Sequence, residues 1–276
     1  MHNGVNQTSG EESMVFKKIQ LTEKAYMDAY IADKIKDFTR KALLVIPGGA
    51  YEGVAAEREG EPIAHAFMPY GYNAFVLHYS VKDKPFPQQL IEASMAIKHI
   101  RDNCEEYNIN PDAVFAVGFS AGGHLAGSLG TMWKKPEIYD AVPMPVGHNR
   151  PNGVLLIYPV ISPVYHLSSF KNLLRGDVTD ERLLECSIDK NVDENTCPMF
   201  IMHSSNDGLV DVRNSICLAD ALAEKGIKFE MHIYPNAPHG VALGNEITKC
   251  GCEGWCDASI AKWVQSAVEW AEKYGK

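Results

Sequence analysis

Short apolar runs alternate along this chain with longer amphipathic stretches. Runs of strand length fall at 16–21, 26–31, 42–47, 74–79, 113–119, 154–159, 199–203 and 228–234. The first two alternate apolar and polar residues, the pattern of half-buried antiparallel strands. The later runs are almost continuously apolar, as strands are in a parallel sheet covered on both faces. Helical spacing predicts helices over 61–70, 87–107, 120–133, 212–225 and 257–273. Pro62 suits a first helical turn and Gly226 a helix stop. Strands alternating with helices after an antiparallel start read as an α/β fold, its sheet mostly parallel.

Two polar, Pro-containing segments, 134–152 and 162–198, interrupt the rhythm. They are expected as cap segments over the carboxyl edge of the sheet, where open α/β folds bind ligands. Residues 1–13 are polar and read as a flexible tail, which leaves 14–276 as a single domain.

The strongest chemical signal is AVFAVGFSAGGHLAG at 113–127. It holds Gly118-Phe119-Ser120-Ala121-Gly122, a G-x-S-x-G pattern between an apolar strand and a small-residue helix. In that setting a sharp turn projects the serine hydroxyl above the sheet, and the flanking positions must be small. A serine hydroxyl is a weak nucleophile that needs a base oriented by an acid. Both partners are expected later in the chain, in the order acid, then histidine. PMFIMHSSND (198–207) is a strand followed by a loop ending in Asp207, and KFEMHIYPNAPHG (228–240) one ending at His239. Asp211 is the alternative acid, placed where the next helix should begin. Of the other histidines, His203 and His232 lie within strands and read as packed. His124 reads as a packing residue able to hydrogen-bond a neighbouring loop.

A tetrahedral intermediate needs preorganised amide donors for its oxyanion. The amide of Ala121 opens the nucleophile helix, and the loop Pro47-Gly48-Gly49-Ala50-Tyr51 follows the third strand. Gly49, Ala50 and Ala121 are therefore the expected oxyanion hole. Glu57, Glu59 and Glu61 read as a solvated helix start. The spacing of Cys250, Cys252 and Cys256 differs from the paired C-x2-C of structural zinc sites, so these read as surface or packed thiols.

Composition narrows the classes further. The chain has 276 residues, of which 46% are hydrophobic and 22% charged, so a large core is available and a disordered chain is excluded. Lys and Arg number 26 against 35 Asp and Glu, a net charge of −9. That balance argues against a nucleic-acid partner. Apolar runs stay far below the ~18 residues of a membrane span, so no membrane partner is expected. Seven cysteines, an odd number, with no export signal in the sequence favour reduced thiols and a cytoplasmic location.

PGGAY, GFSAGGHLAG, the acid after HSSN and the histidine of APHG together resemble the α/β-hydrolase superfamily. Within it the chain is similar to small bacterial acetylesterases and acetyl-xylan or sugar-ester hydrolases, from about residue 41 to the C-terminus. The resemblance implies the α/β-hydrolase fold: a mostly parallel, twisted sheet of about eight strands, helices on both faces and a short cap. It implies hydrolysis of short-chain, acetyl-type esters, with sugars as carriers, through Ser120, His239 and Asp207. No cofactor and no metal is implied, the partner is a small-molecule ester, and a homodimer is left open. Pro47 stands where many relatives have histidine, which weakens the likeness to kynurenine formamidases. Tyr51 keeps an aromatic nearby and is the candidate substrate contact. Formamidase, amidase or small-peptidase chemistry with the same triad, and a catalytically silent binding protein on the same scaffold, remain alternatives.

Overall fold

The computed structural model describes residues 14–275. Its strands are β1 (Val15–Gln20), β2 (Tyr26–Ile31), β3 (Arg40–Ile46), β4 (Tyr72–His78), β5 (Ile109–Phe119), β6 (Gly153–Ile157), β7 (Met199–Ser204) and β8 (Phe229–Tyr234). They form one sheet in the order β1-β2-β4-β3-β5-β6-β7-β8. The pairs β1–β2 and β2–β4 are antiparallel, and the pairs from β4 through β8 are parallel. The helices are α1 (Ala56–Glu59), α2 (Glu61–Phe67), α3 (Gln88–Asp102), α4 (Ala121–Thr131), α5 (Pro136–Ala141), α6 (Leu167–Leu174), α7 (Asp180–Cys186), α8 (Arg213–Glu224) and α9 (Trp263–Ala271).

The apolar runs are continuous because the sheet has two dry faces. Along β3, Ala42, Leu44 and Ile46 join one core with Leu90, Ile97, Leu125 and Leu218 of α3, α4 and α8. Leu43 and Val45 join the other, with Phe67 of α2 and Trp263 and Trp270 of α9. Successive side chains of a strand point to opposite faces, so one uninterrupted run supplies both layers.

Boundaries differ from the sequence reading where the chain is irregular. β5 begins at Ile109, which pairs with Arg40 across a register shift. The polar Asn110, Pro111 and Asp112 hide that start from any hydrophobic pattern. The helix expected over 61–70 begins earlier, at Ala56, and is broken at Gly60.

The two segments expected as caps lie at opposite edges of the sheet. Segment 134–152 is at the amino edge, because α4 has already carried the chain back across the sheet. There Asn152 exchanges hydrogen bonds with Val114 (2.7 and 3.0 Å), and the Arg101 guanidinium donates to the carbonyls of His148 and Arg150 (both 2.7 Å). It does not cap the carboxyl edge. In 162–198 the part that reaches the carboxyl edge is α6, whose Asn172 donates to the Ala50 carbonyl (2.8 Å). The rest of that segment returns the chain, with the Cys197 amide on the Gly130 carbonyl at the far end of α4 (3.0 Å). The tail expected at 1–13 lies outside the described residues.

Candidate active site

Ser120 sits between β5 and α4 with φ 54° and ψ −119°, a conformation that side-chain-bearing residues rarely adopt. The turn closes only because its flanks are glycine. A Cβ on Gly118 would lie 2.2 Å from the Gly122 carbonyl oxygen, and one on Gly122 would lie 2.2 and 2.3 Å from the carbonyl oxygens of Ile46 and Pro47. The Ser120 amide donates to Ile157 of β6 (3.1 Å), and its carbonyl accepts from the Val160 amide (3.0 Å). Backbone bonds to β6 and the loop after it thus hold the serine turn.

Asp207 follows β7 and His239 follows β8. Their loops are tied together, since the Ala237 amide donates to Ser204 Oγ (2.9 Å) and Asn206 Oδ1 (2.8 Å). His239 Nε2 lies 2.8 Å from Ser120 Oγ, and Nδ1 lies 2.7 Å from Asp207 Oδ2. The other Asp207 oxygen accepts the amides of Leu209 and Val210 (both 2.9 Å). Burial disfavours the Asp207 charge, but hydrogen bonds from His203, His239 and the Val210 amide outweigh it and hold the carboxyl well below the usual carboxylate range. An ionised Asp207 only accepts, so Nδ1 of His239 carries the proton and Nε2 faces the serine hydroxyl. The alternative acid, Asp211, is turned to the Arg213 guanidinium (2.6 Å).

The loop after β3 closes over the serine. A Cβ on Gly48 would lie 3.0 Å from Ser120 Cβ, and Gly49, Ala50 and Tyr51 all have positive φ (127°, 55° and 60°). The amides of Gly49, Ala50 and Ala121 have no acceptor among the described residues. Tyr51, the candidate substrate contact, is turned inward. It is 2% exposed, and its hydroxyl donates to His124 Nδ1 (2.7 Å), whose Nε2 donates to the Cys186 carbonyl (2.8 Å). Burial pushes the His124 imidazole down to about 4, which keeps it neutral and able to accept. His124 therefore binds the neighbouring loop through Tyr51.

Glu59 departs from the sequence reading, for it is no solvated helix start. It is 2% exposed, and it accepts the Gly48 amide at Oε2 (2.7 Å) and the Tyr158 hydroxyl at Oε1 (2.8 Å). Burial raises its pKa, while the Gly48 and Tyr158 bonds pull the other way. Tyr158 also accepts the Ala242 amide (3.0 Å), and its ring meets the His239 ring at 5.0 Å. Arg58 donates to the Gly240 carbonyl (2.7 Å) and stacks on Trp255. His203, wholly buried, lies 3.4 Å from Asp207 Oδ2 and accepts from Ser215 Oγ–H at Nδ1 (2.7 Å). Arg58, Glu59 and Tyr158 carry no motif; loop convergence alone reveals them. Cys250 and Cys252 are exposed free thiols, and no group among the described residues has the makings of a metal site.

Residues 27–222 match the family described as BD-FAE. The chain belongs to the BD-FAE family. This BD-FAE chain is 38% identical over 229 residues to endo-1,4-beta-xylanase B of Butyrivibrio fibrisolvens, covering 79% of this chain and 35% of that protein. It is 32% identical over 213 residues to an acetylxylan esterase of Xylanibacter ruminicola, covering 74% of this chain and 42% of that protein. The chain thus spans well under half the length of these curated relatives. Among solved structures it resembles an acetyl ester-xyloside bifunctional hydrolase from Caldicellulosiruptor lactoaceticus, with 31% identity, TM-score 0.79, and 94% and 96% of the two chains covered. A carboxylesterase from Lactobacillus plantarum superposes with TM-score 0.82 at 25% identity, covering 95% and 98%. The fold is that of the α/β hydrolases. No helix among the described residues is long and apolar enough to cross a membrane.

Proposed function

We propose that this chain is a serine esterase that removes short acyl groups, acetyl above all, from sugar hydroxyls. The observation that carries the reading is the line Ser120 Oγ–His239 Nε2 (2.8 Å) and His239 Nδ1–Asp207 Oδ2 (2.7 Å) beneath amides without acceptors. His239 takes the Ser120 proton as Oγ bonds to the ester carbonyl carbon. The carbonyl oxygen becomes an oxyanion and accepts from Ala121 and from Gly49 or Ala50. The intermediate collapses, the sugar oxygen leaves with the proton from His239, and an acyl-serine remains. Water then gives a proton to His239 and bonds to the acyl carbon; collapse releases the carboxylic acid and restores Ser120.

The short acyl group is supported by the relatives named for acetyl esters. An acetylated sugar as the carrier is supported by the two relatives named for acetylxylan and for acetyl ester-xyloside. The test compares p-nitrophenyl acetate, p-nitrophenyl butyrate, an acetylated xylooligosaccharide and an N-formyl arylamine with wild type and Ser120→Ala. Acetate hydrolysis lost in the variant supports the reading; equal rates for both proteins, or N-formyl substrate preferred over the esters, overturns it.

A further inference from the structure

We infer that Glu59, a buried carboxylate outside the triad, is a positioning residue that locks the oxyanion loop and the histidine loop into one unit. The inference rests on the hydrolase reading above and adds a group which that mechanism does not use. Its oxygens divide between two donors from different loops. Oε2 takes the Gly48 amide, next to the proposed oxyanion donors, and Oε1 takes the hydroxyl of Tyr158. The same hydroxyl receives the Ala242 amide, three residues after His239, so the tyrosine proton has Glu59 as its acceptor. The neighbouring Arg58 grips the Gly240 carbonyl (2.7 Å), one residue after His239, and is itself backed by Trp255. Two consecutive residues of α1 therefore hold the histidine loop at 240 and 242 and the oxyanion loop at 48.

The chemistry explains why this position is a carboxylate. Both contacts are donations to Glu59, and only a group with two accepting oxygens satisfies both. Glutamine in the same place turns an N–H2 toward one donor and leaves a buried polar group unpaired. Aspartate is a methylene shorter and cannot span the two. A loop displaced by about 1 Å costs on the order of 100-fold in rate when it carries a reacting group.

The experiment measures kcat and KM on p-nitrophenyl acetate for wild type, Glu59→Gln, Tyr158→Phe and, as a control, the exposed Glu57→Gln. Rates are divided by the fraction of molecules that a fluorophosphonate labels to completion, which removes losses due to misfolding. The inference expects kcat per labelled site to fall 10- to 100-fold in Glu59→Gln, with KM within twofold. Tyr158→Phe, which severs Glu59 from Ala242 alone, should show a smaller fall of the same kind, and Glu57→Gln none. If Glu59→Gln does not fold, the Tyr158→Phe result decides. A kcat per labelled site within twofold of wild type overturns the inference whatever the melting temperature does, and leaves the hydrolase reading standing. A wild type with neither hydrolysis nor labelling at Ser120 removes both.

Discussion

The two edges of the sheet use left-handed backbone in different residues. At the amino edge the positive-φ positions are Asp37, Gly71, Asn108, Gly147 and Gly226. Glycine, and to a lesser degree asparagine and aspartate, adopt this conformation at low cost. The carboxyl edge has such glycines too, Gly49 and Gly240 among them, but it adds five residues that are neither glycine, asparagine nor aspartate: Ala50, Tyr51, Ser120, Tyr158 and Ala242, with φ between 39° and 60°. Each such residue stores about 1–3 kcal/mol of strain. Three of the five use the side chain that causes the strain: Ser120 faces His239, Tyr51 holds His124, and Tyr158 holds Glu59. Glycine would relax these turns and remove the hydroxyls. One edge merely turns the chain, while the other keeps strained residues for what their side chains touch.

Ser120→Gly tests that contrast with the largest expected effect. Under the proposed mechanism turnover should fall by about 10⁴–10⁶, as for loss of a triad member. Chemical denaturation should meanwhile show stability unchanged or higher by about 1 kcal/mol, since strain relief exceeds the added chain entropy. A variant as active as wild type, or clearly less stable, breaks the comparison. Gly122→Ala comes next. The new Cβ has backbone oxygens of Ile46 and Pro47 at 2.2 and 2.3 Å, so the serine turn and the loop after β3 must separate. We expect stability lower by about 1–3 kcal/mol and kcat lower by about 100-fold in the molecules that still fold. Steady-state kinetics normalised to labelled sites distinguishes the two losses.

A third expectation concerns pH and the carboxyl edge alone. His124 has its folded pKa lowered from 6.5 to about 4 by burial. Between those values the unfolded chain binds a proton that the folded chain does not, so stability falls as pH drops. From pH 7 to pH 5 this one group should remove about 2 kcal/mol. Asp207 acts differently, for its depressed pKa gives a contribution that is full above the unfolded value of 3.8 and is lost only as pH falls below it, outside the pH 7 to 5 window. Urea unfolding at pH 7 and pH 5 should show the loss in wild type and a much smaller difference in His124→Gln. Equal pH sensitivity in the two proteins would assign the acid response to other groups.

What the sequence discloses follows the same division. All eight strands were legible: the central ones are apolar runs because both faces of the sheet are dry there, and β1 and β2 show the alternation of half-buried strands. The meeting of Ser120, Asp207 and His239 was legible because a strand end fixes where each stands, and a glycine-flanked serine marks the first. Glu59 was not legible: three nearby glutamates look alike, and only the meeting of the loops from β3, β6 and β8 shows which one is buried. The placement of 134–152 failed for a topological reason. A segment that follows a helix starts from the amino edge, whereas one that follows a strand starts from the carboxyl edge, and composition is the same for both.

The smallest expected effect sits at the amino edge and mirrors the first. Gly71 has φ 85°, and a Cβ there would lie 2.7 Å from Phe38 Cζ. Phe38 is 43% exposed and can swing aside, so the contact is cheap and the backbone strain dominates. Gly71→Ala should therefore cost about 1–2 kcal/mol and leave kcat per labelled site unchanged. The pair is diagnostic because the two variants differ in sign for stability and differ wholly for rate. Should Gly71→Ala slow turnover as well, strain at the amino edge would be transmitted through β3 and β4 to the loop at 48–51. The two edges would then be one mechanical unit, and the division of labour between them would be lost.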